Sequence, residues 1–250
     1  RGRILAGLAP VGAETVSVAA AAGRVLAAPV AARLTQPPAD VSAMDGYALR
    51  AAEAALGATL ALAGESAAGH PFAGQVPPGG CVRISTGAYV PEGADAIVLQ
   101  EDASRDGGAV TVKEAPRPGR WIRRRGLDFA AGDALLAAGR RLSARDVGLA
   151  AAAGHPWVSV HRRPRVAILA TGDEIALPGE PLPPGGIVSS NSIALAAIVR
   201  AAGGEPIVLP VAPDDPAALL AIARGARGSD LLLTTGGASV GDHDHTAAAL

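Results

Sequence analysis

The sequence predicts a multidomain α/β protein, with a β-rich module in its first half and a parallel, doubly covered sheet in its last third. Three observations predict this. Between 59 and 114, short β-type runs at 59–63, 81–86, 96–101 and 109–113 are separated by Pro and Gly clusters such as VPPGG and RDGG, the pattern of a small β module. From 164 onward strand and helix signals alternate, which implies parallel strands joined by right-handed crossovers. Val166 to Leu169 and Leu231 to Leu233 are apolar without alternation, as in strands covered on both faces.

Taken in order, residues 14–33 predict a helix around 18–27 that ends near Pro29. A Thr/Pro/Asp loop follows at 35–42, then SAMDGYA at 42–48 in a strand or turn. Arg117 to Gly126 is a basic, irregular connector. Residues 134–160 predict a short strand, a helix and another strand, the helix starting at Ser143 with Asp146 in a capping-box position. Gly154 is placed to close that helix, and WVSVHRR (157–163) is extended. Residues 192–204 predict a helix ending in two glycines, 205–213 a strand, and 215–225 a helix with Asp215 as N-cap and Pro216 at the first helical position.

With 49% apolar residues the chain can build a core, and with 2% aromatics that core must be aliphatic. A net charge of −1 gives no bulk signal for nucleic acid or a membrane surface. The single Cys81 excludes an internal disulfide and a Cys-rich metal cluster, which fits a cytoplasmic setting. No apolar run reaches the length of a membrane span. The sequence starts without a Met and ends in what reads as a helix just begun, so both ends are expected to be cut.

The chemistry concentrates in two stretches, PRVAILATGDEIALPGE (164–180) and DLLLTTGGASVGDHD (230–244). In each, a strand runs into a glycine turn and then into carboxylates: Asp173 and Glu174 in one, Asp242 and Asp244 in the other. Ligands of open parallel sheets bind outside the carboxyl ends of the strands. Turn amides and acids together suggest a phosphorylated ligand with a divalent cation, because Mg²⁺ binds through one or two carboxylates plus substrate phosphates. Asp215 is accounted for as an N-cap, so Asp214 is the better ligand candidate. The glycine turn itself has a plain alternative, a tight strand-to-helix connection. For HDH (243–245) a solvated loop is preferred over a zinc site, and Cys81 reads as a small apolar residue at a strand start. The arginines 120 and 123–125 read as a solvated connector paired with Glu114 or Asp128, ahead of an oxyanion site.

SAMDGYA, RISTGAYVPEGADAIVLQE (83–101), RRRGLDFAAGD (123–133), VAILATGDEIALPG (166–179), the APDDP turn (212–216) and TTGGASVGDHD (234–244), in this order, resemble the molybdopterin molybdenumtransferase family of molybdenum-cofactor synthesis, to which gephyrin-type proteins are related. The resemblance implies an elongated N-terminal α/β domain (1–45 and 120–162), an inserted β-rich domain (46–119) and a three-layer α/β/α molybdopterin-binding domain (163–250) cut at its C-terminal end. It implies a cytoplasmic transferase that inserts molybdate into adenylylated molybdopterin with Mg²⁺ and releases AMP. It further implies a homodimer with the site shared between subunits, a molybdopterin adenylyltransferase as pathway partner, and no nucleic acid or membrane. Carried over by motif, Glu174, Asp214 and Asp244 become the catalytic and Mg²⁺-binding residues. Gly236, Gly237 and Ser239 line the pterin-phosphate turn, and Asp45, Thr86 and Asp128 contact substrate from the dimer mate.

The family's lysine-bearing turn and C-terminal domain would follow Leu250. The chain as it stands is therefore expected to be weak or inactive alone. Two rival readings are an adenylyltransferase on the same α/β module and a non-catalytic scaffold of gephyrin type.

Overall fold

The computed structural model describes residues 6–236. Its strands are β1 (Ala13–Ser17), β2 (Val30–Ala31), β3 (Val41–Ser42), β4 (Gly46–Leu49), β5 (Thr59–Ser66), β6 (Gly80–Ile84), β7 (Ala96–Leu99), β8 (Ala103–Asp106) and β9 (Ala109–Val112). They continue with β10 (Ile122–Arg123), β11 (Ala134–Leu136), β12 (Trp157–His161), β13 (Arg165–Ala170), β14 (Ile175–Ala176), β15 (Ile187–Val188), β16 (Glu205–Val208) and β17 (Leu231–Thr235). The α-helices among the described residues are α1 (Ala144–Ala152), α2 (Asn191–Ala202) and α3 (Pro216–Ala223). The chain divides into two units. One is Pro29–Leu136 with Gly148–His155, and the other is Arg1–Ala28, Ala137–Val147 and Pro156–Leu250.

The first of these units is built on a six-stranded sheet in the order β7-β4-β6-β5-β9-β8. Only β5 and β6 run parallel; the other neighbours are antiparallel. β4 (GYAL) is buried at every position because it lies between β6 and β7. Leu49, Leu60, Cys81, Val110 and Val112 share one aliphatic cluster with Tyr47, so the scarcity of aromatics does not prevent a core. Cys81 packs there fully buried, as read from the sequence. β8 was not expected from sequence. Its residues ASRD are mostly exposed and carry no apolar alternation, and the hairpin to β9 through Gly107 and Gly108 holds them in the sheet.

In the other unit, β16-β13-β17 form a parallel three-stranded sheet with β13 in the middle. Ala167, Leu169, Leu209 and Leu219 pack on one cluster, and Val166, Ile168, Ala196 and Val199 on another. Both faces of β13 are therefore covered, as its unbroken apolar run predicts. β17 departs from that expectation. Leu231 is 47% exposed, because β17 is the edge strand among the described residues.

The caps follow the sequence closely. The Asp215 side chain accepts the Ala218 N–H at 2.7 Å with Pro216 beside it, and Gly203 closes α2. At α1 the Asp146 carboxylate accepts the Ser143 N–H at 2.8 Å while the Ser143 hydroxyl accepts the Asp146 N–H at 3.2 Å, a reciprocal capping box. The Arg140 guanidinium and the Ser143 groups hold the Asp146 carboxyl down at about 2.

The helix expected around 18–27 is corrected. That segment contains a single 3₁₀ turn, Val18–Ala20. The amides around it are taken by distant partners: β1 pairs antiparallel with β12, Gly23 N–H bonds to Leu142 C=O, and Leu26 N–H bonds to Arg140 C=O. Alanine's helix propensity, a weak local preference, yields to these long-range ladders. No helix among the described residues is long and apolar enough to cross a membrane.

Candidate functional site

The parallel sheet ends in a set of stitched loops. After β13, Thr171 N–H bonds to Thr235 C=O and Gly172 N–H to Ala212 C=O, each at 3.0 Å. One loop is thus tied to the strand ends on both sides of it. Gly172 has φ +140°, and a Cβ there would collide with the Glu174 carboxylate. The Glu174 carboxylate folds back into the space that a side chain at 172 would occupy. Gly236, at φ +92°, is constrained more tightly, because a Cβ would run into the Thr171 backbone carbonyl. The glycine turn after β17 is a close backbone approach, one of the uses that glycine serves.

Two carboxylates separate into different duties. Asp173 Oδ1 accepts the Asp214 N–H at 3.1 Å, fixing the APDDP turn against the β13 loop. Asp215 caps α3. The carboxylates of Glu174 and Asp214 have no hydrogen bond or ion pair among the described residues, and both residues are exposed. Sequence reasoning had placed Asp173 in the crevice without assigning it this tethering bond.

Beside Gly236, a cleft of about 430 Å³ is lined by Asn191, Ala194, Leu195, Thr234, Thr235 and Gly236. The Asn191 amide donates to Thr235 Oγ1 at 3.3 Å, joining the start of α2 to the end of β17. Ser190, at the N-cap of α2, makes no side-chain capping bond, so no side chain among the described residues caps the first-turn amides beside the cleft. Free helix N-terminal amides with a glycine turn form a place where an anion is favoured. Asn191 was missed from sequence; its only signal is its position at the start of the helix in SSNS (189–192). Glu174 and Asp214 do not line this cleft.

Three of the residues expected from the C-terminal motifs, Glu174, Asp214 and Gly236, lie in the loops at the carboxyl ends of the three adjacent parallel strands. Gly237, Ser239 and Asp244 lie outside the described residues. Among the described residues no group of three or more His, Cys, Asp or Glu side chains stands ready to hold a metal ion.

The other predicted residues, Asp45, Thr86 and Asp128, lie in the unit of the six-stranded sheet, and there the structure brings Asp45 and Thr86 together, while Asp128 pairs with Arg123. Asp45 Oδ1 accepts both the Thr86 N–H at 2.7 Å and the Thr86 hydroxyl at 3.0 Å. These two bonds hold the Asp45 carboxyl below its ordinary value. Nearby, β3 pairs with β10, and Ala43 N–H bonds to Trp121 C=O, so the MDGYA loop is laced to the basic connector. In that connector Arg123 binds both oxygens of Asp128, at 2.9 and 3.2 Å. This pair is about half exposed on each side, so it is worth roughly 0–1 kcal/mol and can yield to a ligand. Arg120 pairs with Glu114 and Arg124 with Asp40. The arginine cluster is thus largely ion-paired, as its composition favoured. Trp121, in the same connector, has φ +58°, the one non-glycine residue with positive φ among those described.

Residues 1–154 match the family described as MoeA N-terminal region (domain I and II), and residues 167–250 match a probable molybdopterin binding domain. The chain is 41% identical over 238 residues to a molybdopterin molybdenumtransferase of Nostoc sp., covering 93% of this chain and 55% of that one. It is 44% identical over 239 residues to molybdopterin molybdenumtransferase 2 of Mycobacterium tuberculosis, covering 92% and 58%. The fold is similar to the solved molybdopterin biosynthesis MoeA protein of Pyrococcus horikosii, with a TM-score of 0.86 at 33% identity, covering 99% of this chain and 64% of that one. The chain spans 55% and 58% of the length of these two curated relatives.

Proposed function

This chain belongs to the molybdopterin molybdenumtransferase family, and on that premise we propose that the whole protein inserts molybdate into adenylylated molybdopterin, releasing AMP and forming the molybdenum cofactor. The observation that carries the proposal is the Asp173–Asp214 tether beside the Thr171–Gly172 turn, which leaves the Glu174 and Asp214 carboxylates unengaged among the described residues. A phosphate-bearing substrate would sit against the turn amides near Gly236, extended through Gly237 and Ser239. Its negative charge needs compensation next to these acids.

Glu174 and Asp214, with Asp244, are assigned to Mg²⁺. Two exposed carboxylates without competing partners suit an ion that binds through one or two carboxylates and completes its shell from phosphate and water. When bound, Mg²⁺ would supply charge neutralisation at the phosphoric anhydride that is cleaved. The chain's own contribution is to orient. Asp173 sets the Asp214 backbone, Gly172 gives Glu174 room to fold back, and Asn191 fixes the end of β17.

Asp45, Thr86 and Asp128 are proposed to contact the substrate held by a second subunit of a homodimer. Asp45 and Thr86 hold each other in place, and Asp128 would exchange its Arg123 partner for substrate. A cytoplasmic setting and a molybdopterin adenylyltransferase as pathway partner belong to the same proposal.

The test uses the whole protein supplied with adenylylated molybdopterin and molybdate. Molybdate-dependent AMP release is expected. It should fall sharply in Glu174→Gln and Asp214→Asn variants that keep their circular dichroism. No AMP release by the unaltered protein overturns the function; unchanged release in either variant removes that residue from its role.

A further inference from the structure

A second cavity, of about 510 Å³, lies in the unit that carries the parallel sheet and shares no lining residue with the strand-end cleft. Its volume falls within the roughly 300–1,000 Å³ of small-molecule sites. Among the described residues five arginines contribute to its wall, Arg24, Arg141, Arg162, Arg163 and Arg200, and no Asp or Glu does. This is an unusual density of one charge in a chain whose net charge is −1.

Two of the five are compensated from outside the cavity. Arg24 pairs with Glu14, and Arg162 grips both oxygens of Asp230 at 2.6 and 2.5 Å. These bonds hold two guanidinium groups in fixed positions. The other three have no carboxylate partner among the described residues. Arg141 donates its Nε–H to the Gly23 carbonyl at 3.2 Å, which anchors the side chain and leaves its two terminal nitrogens without a partner among the described residues. Arg200 stands in the last turn of α2, where a cation complements the helix dipole. Arg163 has no such explanation. His161 adds a further polar group: its Nδ1 lies 2.7 Å from the Val11 carbonyl, so that nitrogen carries the proton and Nε2 remains available.

Guanidinium groups gathered around one concavity repel each other, and low-dielectric walls focus their potential. An anion removes that repulsion. The planar fork of arginine matches phosphate oxygens in a bidentate way. The remaining wall includes Pro10, Val11, Pro164 and Ala202, which offer apolar surface for a compact organic portion.

We propose that this cavity binds a small phosphate-bearing anion, a diphosphate or a phosphomonoester of a compact organic group, at a site separate from the strand-end loops. Arg141 and Arg163 are its principal ligands, with Arg24 and Arg162 as the fixed part of the wall.

The experiment is equilibrium dialysis of the whole protein against radiolabelled pyrophosphate at low ionic strength. It compares the unaltered protein, the Arg141→Gln/Arg163→Gln variant, the single Arg163→Glu variant, and Asn191→Ala at the strand-end cleft. Saturable binding by the unaltered protein is expected. It should weaken roughly tenfold or more in the double variant, the loss of about 1.4 kcal/mol. Arg163→Glu, at an exposed position, gives the same reading should the double variant not fold. Asn191→Ala should retain this binding, and added salt should weaken it. Absence of pyrophosphate binding, binding in both arginine variants as tight as in the unaltered protein, or loss confined to Asn191→Ala would each overturn the proposal.

Discussion

The Asp173 carboxylate accepts the Asp214 backbone N–H at 3.1 Å, so the loop after β13 is tied to the loop after β16. A hydrogen bond to a charged acceptor is worth about 1.5–3 kcal/mol when shielded and less when exposed as here. Asp173→Ala is expected to lower kcat/KM of the whole protein roughly fivefold, about 1 kcal/mol, with little change in its unfolding midpoint. Asp173→Asn keeps an acceptor oxygen and should restore most of the loss. Steady-state kinetics on both variants checks this; equal losses would show that the charge matters and the tether does not.

Gly236 is the tightest point of the site. A methyl group there meets both a positive φ and the Thr171 carbonyl. Gly236→Ala is expected to destabilise the unit by roughly 1–3 kcal/mol, the usual cost of a strained backbone position. Urea unfolding measures it. A stability equal to that of the unaltered protein would mean that the β17 turn relaxes away from Thr171.

The bond pair between Thr86 and Asp45 makes a prediction that is independent of activity. Thr86→Val removes the hydroxyl donor and keeps the backbone N–H, the larger of the two influences on Asp45. The Asp45 carboxyl should therefore titrate higher than in the unaltered protein while staying below an ordinary aspartate. Thr86→Ser should leave it where it is. Carbon-detected NMR titration of the Asp45 carboxyl reads this directly, and no upward movement in Thr86→Val would place the hydroxyl outside the bond.

Acid sensitivity follows from the α1 capping box. Asp146 ionises at about 2 in the folded protein, against an ordinary 3.8. Its contribution is fully present above the unfolded value and is lost as pH falls from about 4 through about 2. Asp146→Asn should be less stable at neutral pH and should lose less further stability across that window. Asp230, held at about 2 by Arg162, keeps part of the acid dependence in both proteins. Parallel urea midpoints against pH for the two proteins would exclude a contribution from Asp146.

Much of the fold was legible because its signals are local. Apolar β13, the Ser143–Asp146 and Asp215–Pro216 helix starts, and the glycines after α1 and α2 declare themselves within a few residues. At the candidate site, the glycine turns followed by acids were legible in the same way, which puts Glu174, Asp214 and Gly236 after neighbouring strands. The bond between Asp45 and Thr86 was not legible, since 41 residues separate them. By itself, then, the sequence determined which segments become strands and helices wherever periodicity or capping is strong, and which acids follow glycine turns.

Only the tertiary structure decided the rest. It turned the alanine-rich stretch after Ser17 away from a helix, because β12 and the 140–142 segment claim its backbone groups. It kept the polar ASRD segment in a sheet because β9 pairs with it. It also divided the acids between tether, cap and free carboxylate, and gathered five arginines from separate segments around one cavity. The reason is the same in each case. Hydrogen-bond partners and electrostatic neighbours that lie tens of residues away leave no mark on local spacing, and they outweigh propensities worth less than about 1 kcal/mol per residue.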